Sequence, residues 1–232
     1  SWGDIYLDFK GVTDSTAVQN YQRDLDLTKA IANVDYTLEG TNFHREYFIS
    51  YADNVLAMKL TADGSKKLEF DVSFPVDNAE NVANNGLGKS VTYKAEGNTL
   101  VTAGQMQDNQ LKMNSMLKVV TEGQVNPGSD NQSLHVSDAS SVVIYVSADT
   151  DYKDSYPKYR TGESDEELAA SVKATVEKAA GKNYDQVKAD HIADYTNIFD
   201  RVDLDLGQGV SSKPTDEQIG RASWRERVYQ LV

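Results

Sequence analysis

The stretch FHREYFISYADNVLAMKLTADGSKKLEFDVSF, Phe43 to Phe74, decides the fold class of this chain. Apolar and polar residues alternate along three runs, and the joining segments YADN and TADGSKK are rich in Asp, Asn, Gly and Ser. A period of two between such joints is typical of β-strands connected by tight turns. The stretch therefore predicts three strands that follow one another closely.

The same pattern extends from Ile5 to about Ala148. Before this stretch come IYLDF, YQRDLDL and AIANVDYTL, and after it come SVTYKAEGNTLVTAG, LKMNSMLKVVTEG and SSVVIYVSA. About ten short strands without a helical period between them favour an antiparallel β-sandwich over a parallel α/β sheet. We predict a mainly β chain whose sandwich occupies residues 1–160.

Residues 161–207 are predicted to form a helical linker of two helices and a return strand. Ser164 and Glu167 have the spacing of a capping box, in which each side chain satisfies the other residue's backbone N–H. The first helix has Leu168, Val172 and Val176 at every fourth position and Gly181 at its end. A second helix begins at about Tyr184, and its apolar stripe comprises Val187, His191, Tyr195, Ile198 and Phe199.

The segment RVDLDLG returns to a period of two, which predicts a strand with Val202, Leu204 and Leu206 facing inward. Residues 208–232 form a tail. Within it, Ile219–Val228 resembles the translation of a common sequencing adapter, with Trp224 where that translation has Cys. We therefore expect residues 219–232 to be non-native, the alternative being a basic surface helix.

Composition excludes several classes of protein. The net charge is −13, with 23 Lys and Arg against 36 Asp and Glu, so a nucleic-acid partner is not expected. The chain has no cysteine, which excludes disulfides and cysteine-ligated metals. Apolar runs fall far short of the roughly 20 residues of a membrane span. The first residues, SWGDIYLDFKG, do not resemble a signal peptide.

Two pairs of aspartates have a spacing that suits carboxylate chemistry. Asp203 and Asp205 would lie on one face of a strand about 6.6 Å apart, and Asp24 and Asp26 have the same spacing. An inverting glycosidase places its two carboxyl groups roughly 6.5–9.5 Å apart. The simpler interpretation is that both pairs face water, opposite inward apolar residues.

His191 is a candidate general base, with Asp194 and Tyr195 within reach on a helix. It also lies on the apolar stripe, where a half-buried histidine that fixes the helix by a hydrogen bond is the alternative. For metals, Asp149, Asp151 and Asp154 offer oxygen ligands of the kind calcium prefers, but without the EF-hand spacing. His44, His135 and His191 form no local pair, so we predict no metal site.

Three tyrosines, Tyr152, Tyr156 and Tyr159, occur in the loop YKDSYPKY. Such a cluster offers aromatic rings on which sugars stack, although tyrosine also anchors loops to sandwiches. The chain has no Gly-rich phosphate loop and no Gly-x-Ser-x-Gly elbow, so neither a cofactor nor a catalytic residue is predicted.

Three blocks carry a resemblance to a known family. GDIYLDF, YQRDLDLTKAIANVDYTLEGTNFHREYFISYADNVLAMKLTAD and HIADYTNIFDRVDLDLG, in this order, resemble the N-terminal region of glycoside hydrolase family 95. The resemblance extends from about Gly3 to Gln218. That family contains mainly α-L-fucosidases and some α-L-galactosidases.

The resemblance implies an N-terminal β-sandwich, a helical linker, an (α/α)₆ barrel and a C-terminal β-domain. It implies inverting hydrolysis by a glutamate acid and by a water that an asparagine and an aspartate activate. Those residues belong to the barrel, so none is carried onto this chain, whose sandwich would also lack its opening strands. We expect a non-catalytic fragment of a secreted or periplasmic enzyme with a glycan substrate, packed against the downstream barrel. The alternative is a free-standing carbohydrate-binding β-sandwich.

Overall fold

The structure is a computed structural model that describes residues 3–10, 18–76, 86–204, 207 and 213–214. Over these residues the chain is mainly β, as predicted, and ends in two helices. The strands are β1 (Tyr6–Phe9), β2 (Val18–Asp26), β3 (Ile31–Leu38), β4 (Thr41–Ser50), β5 (Val55–Asp63), β6 (Leu68–Ser73), β7 (Lys89–Glu96), β8 (Thr99–Met106), β9 (Lys112–Thr121), β10 (Gln124–Pro127), β11 (Ser133–Ala139) and β12 (Ser141–Thr150). The helices are α1 (Asp165–Gly181) and α2 (Tyr184–Phe199).

The strands form two antiparallel sheets. One has four strands in the order β1-β6-β11-β10, and the other has eight in the order β2-β3-β4-β5-β12-β9-β8-β7. The opening stretch of sequence forms β4, β5 and β6, but the chain changes sheets after β5. Alternation therefore predicted these strands correctly, whereas the partners of β6, which are β1 and β11, lie in distant parts of the chain.

The main core lies between the two sheets. Phe70 and Val136 of the smaller sheet and Leu60, Leu117 and Ile144 of the larger one are all fully buried there. Their burial removes large apolar side chains from water, at roughly 25 cal/mol per Å² of apolar surface. This core accounts for the alternation that the sequence shows.

A second core lies on the other face of the eight-stranded sheet, where α1 and α2 cover it. Val172 and Val176 of α1 and Val187 of α2 pack there against Phe48 and Tyr145. Tyr145 follows Ile144 in β12, so consecutive residues enter opposite cores. The sheet is thus buried on both faces along its central strands.

The ends of α1 follow from its sequence. The Ser164 hydroxyl accepts a hydrogen bond from the Glu167 backbone N–H at 3.2 Å, and the Glu167 carboxylate accepts one from the Ser164 backbone N–H at 2.8 Å. Both halves of the predicted capping box are therefore present. Gly181 is the last helical residue and Lys182 is the C-cap.

The chain divides into two compact units, Ser1–Phe199 and Asp200–Val232. In the second unit, Val202 is 82% and Leu204 is 76% exposed, and neither belongs to a strand. This differs from the prediction that they face inward. Alternation divides the residues of a segment between two faces, but it does not show that either face packs against a sheet. Residues 205 and 206 and most of the tail, including 219–232, lie outside the described residues, and the proposed domain limits remain predictions.

Large side chains of the outer strand β2 are exposed, among them Tyr21 and Leu25. The expectation that the sandwich lacks opening strands stays a prediction. Neither of the two described helices is long and apolar enough to cross a membrane.

Candidate functional site

The three tyrosines of the YKDSYPKY loop point outward, Tyr156 being 84% exposed. The rings of Tyr156 and Tyr159 meet edge to face, with centroids 6.3 Å apart. Tyr152 forms a β-bridge with Arg160 at the base of the loop. The rings of these tyrosines are therefore exposed to solvent. They are not buried against the sandwich, so they do not anchor the loop.

Asp151 anchors this loop instead. Its carboxylate accepts a hydrogen bond from the Lys112 backbone N–H at 2.9 Å and lies 3.6 Å from the Arg160 guanidinium. Arg160 also donates to the Asn109 carbonyl at 2.9 Å. The loop therefore projects from a fixed base at the turn between β8 and β9.

His191 is buried and has a structural role. Its Nε2 donates to the Lys29 carbonyl oxygen at 2.9 Å and lies 3.3 Å from that of Ala30, and the centroids of its ring and the stacked Phe48 ring are 4.7 Å apart. These contacts hold α2 against the turn between β2 and β3. They favour the interpretation of His191 as a residue that fixes the helix over that of a general base.

Asp24 and Asp26, one of the two candidate pairs, each accept hydrogen bonds from nearby residues. Asp24 accepts from the Asn33 amide at 2.9 Å. Asp26 accepts from the Thr28 hydroxyl and from Lys29, which lower the pKa of Asp26 to about 2. A carboxyl group with so low a pKa is a poor proton donor at neutral pH. Of the second pair, Asp203 is exposed and Asp205 lies outside the described residues.

The candidate metal ligands do not converge. His44 pairs with Asp35 and His135 with Asp71, each at 2.7 Å, on different sheets. Within the described parts of the chain, no three His, Asp or Glu side chains are grouped so as to hold a metal ion.

Sequence reasoning missed a buried carboxylate under α2. Glu46 of β4 is only 7% exposed and accepts hydrogen bonds from the Tyr184 hydroxyl and the Lys188 ammonium. Burial opposes its ionisation, but the bonds from Lys188 and Tyr184 outweigh burial and hold the pKa of Glu46 below its usual range. Burial, together with the bond to Glu46, raises the pKa of Tyr184. The apolar residue Phe48 on the same face of β4 was a signal that this face is covered.

A second charged cluster joins the two helices to the sheet. Lys182, between α1 and α2, donates to the buried Asp53 at 2.6 Å and to Asp190 at 2.8 Å. The hydrogen bond to Asp190 and, to a smaller extent, the one to Asp53 raise the pKa of Lys182. Both charged clusters consist of paired groups that hold the helices against the sheet.

An apolar groove lies at the C-terminal end of α2. It has a volume of about 390 Å³ and is lined by Ile49, Tyr51, His191, Asp194, Tyr195, Ile198 and Phe199. Ile49, Tyr51 and Ile198 are mostly exposed. These exposed apolar side chains make the groove a candidate interaction site.

The chain is similar to known carbohydrate-active proteins. Over 250 aligned residues it is 24% identical to alpha-L-fucosidase 2 of Arabidopsis thaliana, covering 98% of this chain and 28% of that protein. It is 28% identical over 224 residues to the "Probable alpha-fucosidase A" of Aspergillus niger, covering 89% of this chain and 26% of that protein. The chain thus spans about a quarter of the length of these relatives.

A solved structure described as "Putative kojibiose phosphorylase from human microbiome" has the same fold. The TM-score is 0.62 at 9% identity, over 86% of this chain and 28% of that one. The model of the family "Glycosyl hydrolase family 65, N-terminal domain" matches residues 1–155, which include all twelve strands. The resemblance to an N-terminal domain of a glycoside hydrolase is confirmed, although the family number 95 is not. The chain belongs to the glycosyl hydrolase family 65 N-terminal domain family.

Proposed function

We propose that this chain is the non-catalytic N-terminal domain of an inverting, α-L-fucosidase-like glycoside hydrolase of family 95, where it frames a downstream (α/α)₆ barrel. The two fucosidase relatives support the activity of the parent protein. A glycan substrate and a secreted or periplasmic location belong to the same proposal.

The apolar groove at the end of α2 is the observation that carries the framing role. Tyr51, in the turn between β4 and β5, and Ile198 of α2 line it, and both are exposed. Helices of a barrel that follows α2 in the chain would cover these side chains. The contacts of His191 and Glu46 hold α2 in place, so the groove has a fixed shape.

To test the proposal, the DNA beyond codon 218 is sequenced, and the longer gene product is expressed and compared with this chain. With 4-nitrophenyl α-L-fucoside, the longer protein should release nitrophenol and this chain should not. In the longer protein, Ile198→Asp should lower the melting temperature and the activity, whereas the exposed control Asn197→Asp should change neither. Turnover by this chain alone, or downstream DNA that encodes no helical barrel, would refute the proposal.

A carbohydrate-binding module is the second candidate, favoured by the exposed ring of Tyr156 on its anchored loop. Calorimetric titration of this chain with fucosylated oligosaccharides tests it. Saturable binding that Tyr156→Ala abolishes would support this function, and heat changes that Tyr156→Ala leaves unaltered would refute it.

A further inference from the structure

A polar groove lies on the helix-bearing face of the eight-stranded sheet, beside the first turn of α1. We call it the Asn114 groove, and its volume is about 260 Å³. Thr92, Ala103 and Asn114 lie side by side on β7, β8 and β9 and line it, as do Asp165 and Leu168 of α1. The groove is separate from the tyrosine loop and from the apolar groove of α2.

Asn114 is the unusual residue of this groove. It is only 5% exposed, yet its side-chain amide forms no hydrogen bond within the described part of the chain. An amide can take part in up to four hydrogen bonds, and that of Asn114 has them free for a molecule that enters the groove. A site that keeps such a group open to a groove is suited to a polar ligand that supplies the missing partners.

The remaining lining decides the class of ligand. Lys112 and Asp165 form an ion pair at 2.8 Å, so they present both donors and acceptors without a net charge. Ser90 and Gln105, which lie beside Lys112 on β7 and β8, add a hydroxyl and an amide. Neutral hydroxyl groups match this set, whereas an anion or a cation finds no unbalanced charge to bind.

Apolar atoms complete the lining. Ala103, Met113 and Leu168 provide the hydrocarbon contact that the C–H face of a sugar ring requires. Pockets for drug-sized ligands have about 300–1,000 Å³, so this groove suits one ring and not an oligosaccharide.

We propose that the Asn114 groove binds a single neutral sugar ring, with the Asn114 amide and the Lys112–Asp165 pair as its hydrogen-bonding partners. The proposal does not depend on the docking of a barrel, and it assigns no role to Tyr152, Tyr156 or Tyr159. It would make the helix-bearing face of the domain a second place of contact with glycans.

The test is a titration of the ¹⁵N-labelled chain with L-fucose, D-galactose and D-glucose, followed by NMR. At least one sugar should shift the Asn114 side-chain amide and the Gly104 backbone amide saturably, with a millimolar dissociation constant. Asn114→Ala should weaken binding about tenfold, as expected for a lost hydrogen bond. Because the Asn114 amide has no partner to lose, this variant should keep its melting temperature.

Two further variants separate the outcomes. Gln105→Ala changes an exposed side chain of the groove and should also weaken binding without unfolding. Tyr156→Ala is the matched control and should leave the dissociation constant unchanged. The proposal is overturned if none of the three sugars gives saturable shifts, which would mean a groove filled by water only. It is equally overturned if binding survives Asn114→Ala or is lost in Tyr156→Ala.

Discussion

Replacing Tyr184 with phenylalanine removes one O–H donor and leaves the rest of the ring in place. The ring keeps its contact with Phe48, at 5.8 Å between centroids, and with the Lys59 ammonium, at 4.8 Å. Glu46 keeps Lys188 but loses the hydroxyl. A hydrogen bond to a charged group contributes about 1.5–3 kcal/mol, and Glu46 is too buried for water to replace the donor freely. We expect a loss of about 2 kcal/mol in the free energy of unfolding.

Urea unfolding followed by far-UV circular dichroism measures this loss. With an m-value of about 2 kcal/mol/M, the midpoint should fall by about 1 M. The control is Tyr195→Phe, which removes a bond of 2.7 Å to the uncharged Leu27 carbonyl and should cost about 0.5–1.5 kcal/mol. Equal losses in the two variants would refute the reasoning, because they would mean that the charge and burial of Glu46 add nothing.

Three further predictions concern stability. Lys182→Met should cost about 2–3 kcal/mol in urea unfolding because it leaves the buried Asp53 carboxylate without its partner, and Lys182→Met/Asp53→Asn should cost less than the single variant. Because the pKa of Glu46 is lowered in the folded chain, its ionised form stabilises the fold. This stabilisation is complete above the unfolded pKa of 4.5 and is lost as the pH falls through the lowered pKa. The difference in unfolding midpoint between wild type and Glu46→Gln should therefore shrink at acidic pH. Gly64→Ala should lower stability by about 1–3 kcal/mol in the same assay, since Gly64 has φ +151° and a Cβ there would lie 2.6 Å from the Thr41 hydroxyl oxygen. The first prediction is contradicted if the double variant is no more stable than Lys182→Met, and the second if the difference between wild type and Glu46→Gln does not change with pH. An unchanged unfolding midpoint in Gly64→Ala contradicts the third.

The sequence predicted the elements whose causes are local. The capping box at Ser164 depends on residues three apart, and the burial of Leu168, Val172 and Val176 depends on a spacing of four. The place of His191 on a packed stripe follows from the same spacing. Its acceptors, the carbonyl groups of Lys29 and Ala30, lie more than 160 residues earlier, and no local pattern indicates them.

Glu46 and Asn114 could not be predicted, because alternation assigns a residue to one face of a sheet without saying what covers that face. In β4, Phe48 on the same face indicates that this face is covered, but no local pattern indicates that α2 brings Lys188 to Glu46. Asn114 likewise reads as an exposed polar residue of β9 until the first turn of α1 lies beside it. The sequence predicted which face of the strand each residue lies on, but it did not predict the helix that packs over that face.

The double burial of the eight-stranded sheet has a consequence for the order of synthesis. β12 completes the sheet at Thr150, but the helices that cover its second face end at Phe199, 49 residues later. At about 5–20 residues per second, the ribosome needs roughly 2.5–10 s to make them. During that interval Phe48 and Tyr145 belong to a finished sheet whose outer face is still uncovered, and this nascent form is where we expect chaperones to bind.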